Sequence, residues 1–417
     1  MEKIIIENFG PVKYFESEIK DLMFFIGPQA SGKSTICKLI YFFYSLFRNF
    51  DISLVKILPN KFAKISNFYD YFVSMIKEIF IKMFYDIKCY NNCNVIFFYK
   101  KFSLNLRIKN NEIEIRIDKN FKDSIEDIEK RIRFLYEVLI MGKENIHELN
   151  SRIEIEKELN YIFYEINEKL KELFLTNYSV LFIPAGRNLI SIISEQLERL
   201  NIDNIEYSIK NFLEQIKNLK FLFNNFIDNY KTDKIVGLIS KILKGKYKFE
   251  DDIDKLYFTE NNFIKMQYAS SGQQEILWLL LLVYLNITPN SEKTLIIEEP
   301  EAHLYPSSQK DVVELLALSL NKGQNKVIIS THSPYILTSA NNLIYANNVG
   351  QKKPEETAKI IDKDLWLDVN RVAAFMLENG EATNIIDNEL NLIKAEEIDR
   401  VSKEINENFD KLFQLDD

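Results

Sequence analysis

The chain has 417 residues, of which 47% are hydrophobic and 27% are charged, and its formal net charge is −8 at pH 7. This composition predicts an ordinary globular protein of two or three domains. The net negative charge gives no indication of nucleic-acid binding. It leaves two alternatives for such binding, namely a local basic patch and a groove formed on assembly. The first residues do not resemble a signal peptide, and the apolar run at 276–285 is too short to span a membrane. We therefore expect a cytoplasmic protein without a membrane partner.

The first part of the chain predicts three short strands and then a phosphate-binding loop. The strands are expected at residues 3–8, 13–19 and 23–26. The third strand is followed by Gly27-Pro28-Gln29-Ala30-Ser31-Gly32-Lys33-Ser34-Thr35, a G-x-x-x-x-G-K-[ST] motif, and then by a helical pattern at 35–46. In such a loop the backbone N–H groups surround a polyphosphate, the lysine reaches its β- and γ-phosphates, and the hydroxyl after it faces Mg²⁺. The sequence therefore predicts a nucleotide site here.

Two stretches between the recognisable motifs read as insertions. In the first, 51–176, strands are expected at 95–99, 103–108 and 112–118, and apolar residues then recur at helical spacing: Ile155, Leu159, Ile162, Ile166 and Leu173. After a strand at 180–183, a second helical stretch steps by four and three: Ile205, Ile209, Phe212, Ile216, Leu219 and Phe223. This stretch is either an ordinary amphipathic helix or a short arm for subunit contact. A hairpin is expected at 256–267.

Three further motifs carry chemistry. Ser270-Ser271-Gly272-Gln273 precedes an apolar helix, where it can cap the helix or present hydroxyl and N–H donors to a second anion. The next apolar strand ends in Glu298 and Glu299, which suit a site where one carboxylate holds Mg²⁺ and the other orients an attacking water. The strand after it leads to His332, which is either a hydrogen-bond donor to the γ-phosphate or a residue of a polar loop.

In their order along the chain and in their residues, these motifs resemble those of the head of an ABC-type ATPase. They are most similar to the motifs of the overcoming-lysogenization-defect (OLD) class and related phage-defence ATPases. The resemblance rests on the phosphate loop, the S-S-G-Q motif, the I-E-E-P-E-A-H-L-Y-P run and the S-T-H-S-P run. It implies an α/β fold, namely a P-loop head with a mixed sheet, interrupted by largely helical insertions. It also implies an enzyme that hydrolyses ATP with Mg²⁺.

The resemblance further implies a role for each motif residue. The cofactor-binding residues would be those of Walker A and those of a signature that caps the γ-phosphate of the opposite subunit: Gly27, Gln29, Ser31, Gly32, Lys33, Ser34 and Thr35, then Ser270, Gly272 and Gln273. Ser34 and Glu298 would bind the metal. Glu299 would polarise water, and His332 and Lys33 would complete the catalytic set. Residues 301–304 would form a D-loop that contacts the second subunit.

The sequence departs from the ABC pattern at three positions. Glu298 stands where Asp is usual, Ser271 where the signature has Gly, and Arg187 where a Q-loop glutamine is expected.

The tail after the last motif lacks the acidic pattern of the Toprim nuclease that OLD-class proteins commonly carry. Asn379-Gly380-Glu381 is the nearest approach to that pattern. The tail ends in a helical pattern with Ile398, Val401, Ile405, Phe409 and Leu412 on one face, which predicts packing against the head or a partner.

The expected domain order is head (1–50), insertion (51–176), return to the head (177–190), helical arm (191–245) and head again (246–417). We expect a homodimer or higher homo-oligomer that closes around ATP and acts as sensor or regulator of a separate, nuclease-like effector in phage defence. Two alternatives stay open. One is an SMC-like repair ATPase that clamps DNA, for which the helical arms are short. The other is a transporter subunit, for which the L-S-G-G-Q signature and the Q-loop are lacking.

Overall fold

The computed structural model describes residues 2–57, 68–85, 87–90, 92–99, 102–144, 179–193, 206–217, 233–287, 292–394 and 400–416, together with single helical positions between 157 and 169. The chain divides into two compact units. Unit 1 comprises Met1–Ile19 and Lys38–Val180, and unit 2 comprises Lys20–Cys37 and Leu181–Asp417. In the described part of the chain, no helix has the length and apolar character needed to cross a membrane.

Both strands and helices occur in the described part of the chain. The strands are β1 (Lys3–Phe9), β2 (Val12–Glu18), β3 (Leu22–Ile26), β4 (Cys93–Tyr99), β5 (Phe102–Lys109), β6 (Glu112–Ile117), β7 (Ser179–Ile183), β8 (Lys246–Glu250), β9 (Ile253–Tyr257), β10 (Phe263–Lys265), β11 (Lys293–Glu298), β12 (Lys326–Thr331), β13 (Val372–Glu378), β14 (Glu381–Asn384), β15 (Ile386–Asp387) and β16 (Leu392–Ile393). The helices are α1 (Lys33–Ile57), α2 (Phe68–Phe84), α3 (Lys119–Glu144), α4 (Asn188–Ile193), α5 (Asp233–Leu243), α6 (Ser271–Asn286), α7 (Pro306–Lys322), α8 (Pro334–Gly350), α9 (Pro354–Ala358) and α10 (Arg400–Asp416).

Unit 1 contains an antiparallel arrangement of strands in the order β6-β5-β4-β1-β2. Side chains on β4 and β5 alternate between buried and more exposed positions, as expected for a sheet with one face on a core. Asn110 and Asn111, both at positive φ, form the β5–β6 turn, and such a pair matches the right-handed twist of a hairpin. The predicted strands of the first insertion are thus confirmed.

The predicted domain boundaries differ from the division into units. They assign residues 1–50 to the head, whereas β1 and β2 belong to the same unit as the strands of the first insertion. The physical reason is register: β1 pairs with β4 along its length, with Ile5 opposite Ile96. Sequence patterns show where strands occur but not which distant strands pair, so this grouping lay beyond the sequence analysis.

Unit 2 contains a mixed sheet in the order β14-β13-β3-β12-β11-β7. β3 runs parallel to both β12 and β13, β11 runs parallel to β12, and β14 is antiparallel to β13. All residues of β3 are buried, which is typical of a central parallel strand. The α/β fold with a mixed sheet is therefore confirmed.

Neither β13 nor β14 was predicted from the sequence, although β13 pairs directly with the strand that precedes the phosphate loop. Met376 of β13 lies opposite Ile26 of β3. The turn between β13 and β14 is Asn379-Gly380, with φ values of 54° and 83°. An Asn-Gly pair between extended segments is a strong hairpin signal, and it was present in the sequence.

Several predicted helical positions lie outside the described residues: Ile155, Leu159, Ile162, Ile166, Leu173, Ile205, Leu219, Phe223 and Ile398. Within the described helix at 207–217, Phe212 and Ile216 are buried, as in an ordinary amphipathic helix. In α10, the side chains of Ile405, Phe409 and Leu412 are exposed. For these three side chains, the predicted packing against the head is wrong as far as the described residues go, and the alternative of a partner stays a prediction.

Candidate nucleotide site

Three motif-bearing loops of unit 2 leave the same edge of its sheet. Glu298 at the end of β11 lies opposite Ser330 of β12, and Thr331 at the end of β12 lies opposite Ile26 of β3. Because these strands are parallel, their carboxyl ends meet at one edge, which is where ligands bind in open α/β sheets. The fold therefore brings together the phosphate loop, the two glutamates and the S-T-H motif, as the sequence analysis expects.

The phosphate loop has a backbone that requires glycine at its first position. Gly27 has a φ of 150°, and a Cβ atom built there would lie 2.1 Å from the carbonyl oxygen of Leu377. Gly32 also has a positive φ, of 104°, and α1 begins directly after it at Lys33. The loop thus leads into a helix N-terminus, whose free N–H groups and positive dipole end favour a phosphate.

Lys33 points back into its own loop. Its ammonium donates hydrogen bonds to the carbonyl oxygens of Gly27, at 2.9 Å, and of Pro28, at 2.7 Å. Burial lowers the pKa of Lys33, whereas the charge of Glu299 acts in the opposite direction. The two carbonyls are neutral acceptors, so the anionic oxygens of a polyphosphate would be stronger partners for this buried cation.

The other predicted loop residues differ in exposure. Ser31 is buried and its Oγ lies 3.5 Å from the Lys33 ammonium, whereas Gln29 and Ser34 are exposed and Thr35 is half-buried. Exposure of Ser34 leaves its hydroxyl accessible to a metal ion.

The acidic residues after β11 lie next to His332. Glu298 is buried, and Glu299 is partly exposed with its Oε1 3.7 Å from the Nε2 of His332. The backbone N–H of His332 donates to Oε1 of Glu301 at 2.7 Å. The other oxygen of Glu301, Oε2, is buried and has no hydrogen-bond partner among the described residues.

These residues fit a hard divalent cation. Carboxylate and hydroxyl oxygens are the ligands that Mg²⁺ prefers, and the unsatisfied Oε2 of Glu301 shows that this edge of the sheet holds acceptor capacity that the described protein groups do not use. Ser34 and Glu298 are the residues that would hold the ion according to the sequence, and this assignment stays a prediction. When bound, Mg²⁺ neutralises negative charge on the phosphates.

Residues 1–337 of the chain match the AAA ATPase domain family, AAA_15. The chain belongs to this family. It is therefore an ATP-binding enzyme that hydrolyses ATP, and the expected reaction is confirmed. The match does not extend to the OLD class, so that finer resemblance stays a prediction. No curated protein sequence matches the chain.

Solved structures of ATPase heads align over most of the chain with low similarity. A SmcHead bound to the C-winged helix domain of ScpA is 12% identical with a TM-score of 0.39, covering 92% of this chain and 96% of that one. An SMC head domain from Thermotoga maritima is 12% identical with a TM-score of 0.36, covering 92% and 97%. The ADP conformation of an ATP-binding cassette of an ABC transporter is 11% identical with a TM-score of 0.30, covering 94% and 93%. These low values do not select one type of ATPase.

The S-S-G-Q motif of this ATPase forms the start of α6. Ser270 caps the helix: its Oγ accepts from the N–H of Gln273, and the Gln273 side chain accepts from the N–H of Ser270 at 3.0 Å. A capping box of this kind satisfies two backbone donors. The helix-capping role that the sequence allows for Ser270 is therefore confirmed. Contact of this motif with the nucleotide of a second subunit stays a prediction.

Gly272 connects this motif to the predicted D-loop. A Cβ atom at Gly272 would lie 2.6 Å from the carbonyl oxygen of His303, so any larger residue would push the two segments apart. His303 itself has a φ of 59°. The signature and the D-loop residues therefore touch within one chain.

Glu275 is a buried charged residue that the sequence analysis does not identify. It lies in the first turns of α6, is fully buried, and forms an ion pair with Arg187, which the sequence analysis noted only as a departure. An acid at the start of a long apolar run was the available signal, because a buried charge requires a partner.

Proposed function

We propose that two copies of this ATPase associate through their nucleotide sites when ATP is bound, and that the nucleotide state of this assembly regulates a separate effector. The observation that supports association most is an exposed polar and aromatic surface around the S-S-G-Q motif and the predicted D-loop. Tyr268 is 73% exposed and Tyr305 is 77% exposed, and they flank the S-S-G-Q motif and the D-loop residues. Tyrosine is enriched at protein interfaces.

The position of this surface agrees with the signature role that the resemblance implies. Ser270 and Ser271 are exposed, as is His303, and the Gly272–His303 contact joins the two segments into one surface. A second copy that covers this surface would bring its own phosphate loop near Ser270. Each nucleotide would then lie between a phosphate loop and the signature of the other copy.

Association is tested by measuring mass by light scattering with and without ATP and Mg²⁺ in a Glu299→Gln background that retains nucleotide. The mass is expected to double with ATP. Tyr305→Asp should abolish the doubling because it places a charge in the interface, whereas Tyr345→Asp, at a tyrosine of α8 that is 59% exposed, should not. An unchanged mass with ATP, or equal effects of the two variants, would contradict the proposed surface.

The trans arrangement has its own test. Lys33→Ala and Ser270→Arg should each be inactive, the first through loss of nucleotide binding and the second because a bulky cation blocks closure. In a mixture, a heterodimer can rebuild one intact composite site, so part of the hydrolysis rate should return. Complete absence of recovery, with mixed dimers shown to form, would count against a signature that acts on the second copy.

The effector role rests on the OLD-class resemblance and on the exposed apolar side chains of α10, including Ile405, Phe409 and Leu412. Purified chain incubated with Mg²⁺ or Mn²⁺, ATP and plasmid, linear DNA, single-stranded DNA or tRNA should leave all of them intact. Pull-down from the native host should recover the product of an adjacent gene, and Phe409→Glu should weaken that recovery. Robust cleavage by the chain alone, lost on mutating one of its acids other than Glu298 and Glu299, would contradict this role.

A further inference from the structure

Arg187 is a fully buried arginine whose guanidinium donates hydrogen bonds to four backbone carbonyls and pairs with one carboxylate. A guanidinium carries five N–H donors. Here Nε donates to the carbonyl of Glu275 at 3.0 Å, Nη1 donates to the carbonyls of Pro184 and Glu298 at 2.7 Å each, and Nη2 donates to the carbonyl of Glu299 at 2.9 Å. Nη2 also forms an ion pair with the Oε1 of Glu275 at 3.2 Å. Four of the five donors are therefore held by backbone carbonyls inside the protein.

Glu275 completes the connection from the side of α6. Its carboxylate accepts the backbone N–H of Arg187 at 3.0 Å and that of Asn188 at 2.7 Å. Glu275 lies two positions after Gln273 in the same helix, so the guanidinium and carboxylate pair ties the first turns of α6 to the segment after β7 and to the end of β11. Each partner satisfies the other's buried charge.

Glu299 is bound by Arg187 through its backbone carbonyl. Its φ is 45°, an unfavourable value for a residue with a side chain, and such a conformation persists only when surrounding contacts determine it. Three contacts do so: the N–H of Glu299 donates to the carbonyl of Ser330 at 2.8 Å, and its own carbonyl accepts from Arg187 at 2.9 Å and from the N–H of Ala302 at 3.1 Å. The backbone on both sides of the side chain is therefore fixed, and with it the direction of the carboxylate next to His332.

We infer that Arg187 is a positioning residue that holds Glu299 in its active backbone conformation and links it, through Glu275, to the signature end of α6. The link to α6 rests on the proposed association, because contact with a second copy's nucleotide at Ser270 would bear on the same helix. The positioning of Glu299 does not depend on that association. In this arrangement, the Arg187 side chain connects closure of the assembly to the orientation of the Glu299 carboxylate.

Arg187→Lys is the informative substitution because it keeps the positive charge and loses the planar fork. A lysine ammonium has three donors on one atom and cannot reach all the carbonyls that the guanidinium bridges. Glu275 would keep a cationic partner, whereas the carbonyl of Glu299 would lose its guanidinium donor and keep only the N–H of Ala302. The matched control is Arg371→Lys, since Arg371 pairs with Asp21 immediately before β3, at the opposite end of that strand from the phosphate loop.

The experiment measures ATP hydrolysis, ATP affinity and melting temperature for Arg187→Lys, alone and combined with Glu299→Gln. If Arg187 acts through Glu299, Arg187→Lys should lower the hydrolysis rate by about 30-fold in the parent, leave the ATP Kd within about threefold, and cause no further loss in the Glu299→Gln background. Arg371→Lys should leave the rate within about twofold. Glu275→Gln, which keeps shape and loses charge, serves as the second variant if Arg187→Lys does not fold.

Each result decides a separate point. A loss of hydrolysis that is as large in the Glu299→Gln background as in the parent, or that comes with weaker ATP binding, would make Arg187 a general structural residue and overturn the inference. Arg187→Lys could slow hydrolysis in the parent and cause no further loss in the Glu299→Gln background, while the protein shows no ATP-dependent doubling of mass. That result would support the positioning of Glu299 and contradict the proposed association. Unchanged hydrolysis in both Arg187→Lys and Glu275→Gln would also overturn the inference.

Discussion

Glu299→Gln is expected to lower the rate of ATP hydrolysis by about 100-fold or more while ATP still binds, because general-base assistance contributes factors of this size and the amide keeps the shape of the side chain. The amide cannot accept a proton from the attacking water as the carboxylate can. Phosphate release under saturating ATP gives the rate, and equilibrium binding of a fluorescent ATP analogue gives the affinity. The control is Glu260→Gln, at an exposed residue between β9 and β10.

Two outcomes would contradict the role of Glu299. Hydrolysis at the parental rate would mean that another group activates water. Loss of ATP binding together with hydrolysis would mean that Glu299 supports the loop rather than the reaction, which its electrostatic interaction with Lys33 makes a necessary check.

Lys33→Ala is expected to weaken ATP binding by about 100-fold, because it removes a charge-assisted hydrogen-bond donor from a buried position. The backbone of the loop should persist, since its shape depends on Gly27, Gly32 and the start of α1 rather than on the lysine side chain. Binding is measured by calorimetry with ATP and Mg²⁺, and the melting temperature without nucleotide shows whether the fold is retained. Lys13→Ala, at an exposed residue of β2, is the control.

The phosphate-loop assignment depends on this variant. Unchanged affinity would place the nucleotide elsewhere, and a large drop in the melting temperature without nucleotide would show that the side chain supports the loop itself through Gly27 and Pro28.

The sequence predicted the strands and loops of the site because local patterns carry that information. The phosphate loop, the acidic pair and the S-T-H motif each follow an apolar strand, and the shared edge follows from parallel pairing alone. Pairing between distant segments was less accessible. The pairing of β1 with β4 and the place of β13 beside β3 are set by long-range register, for which a single sequence gives no direct signal.

The side-chain contacts within the site could not be predicted from the sequence either. Arg187 and Glu275 are far apart in the chain, and their relation to Glu299 depends on how α6, β7 and β11 pack. The close approach of Leu377 to Gly27 depends on β13, which was not predicted. By contrast, the capping function of Ser270 was among the readings that its residue type allowed, because serine followed by glutamine at the third helical position is a known helix start.

The structure of the Glu299→Gln variant with ATP and Mg²⁺ would test most directly whether these loops form one nucleotide site. We expect the β- and γ-phosphates inside the loop from Gly27 to Thr35, with the Lys33 ammonium moved from the carbonyls of Gly27 and Pro28 to the phosphate oxygens. The metal should then contact Ser34, with Glu298 beside it. Nucleotide bound at another place, or a Lys33 ammonium that keeps its two carbonyl partners while ATP is bound, would contradict this site.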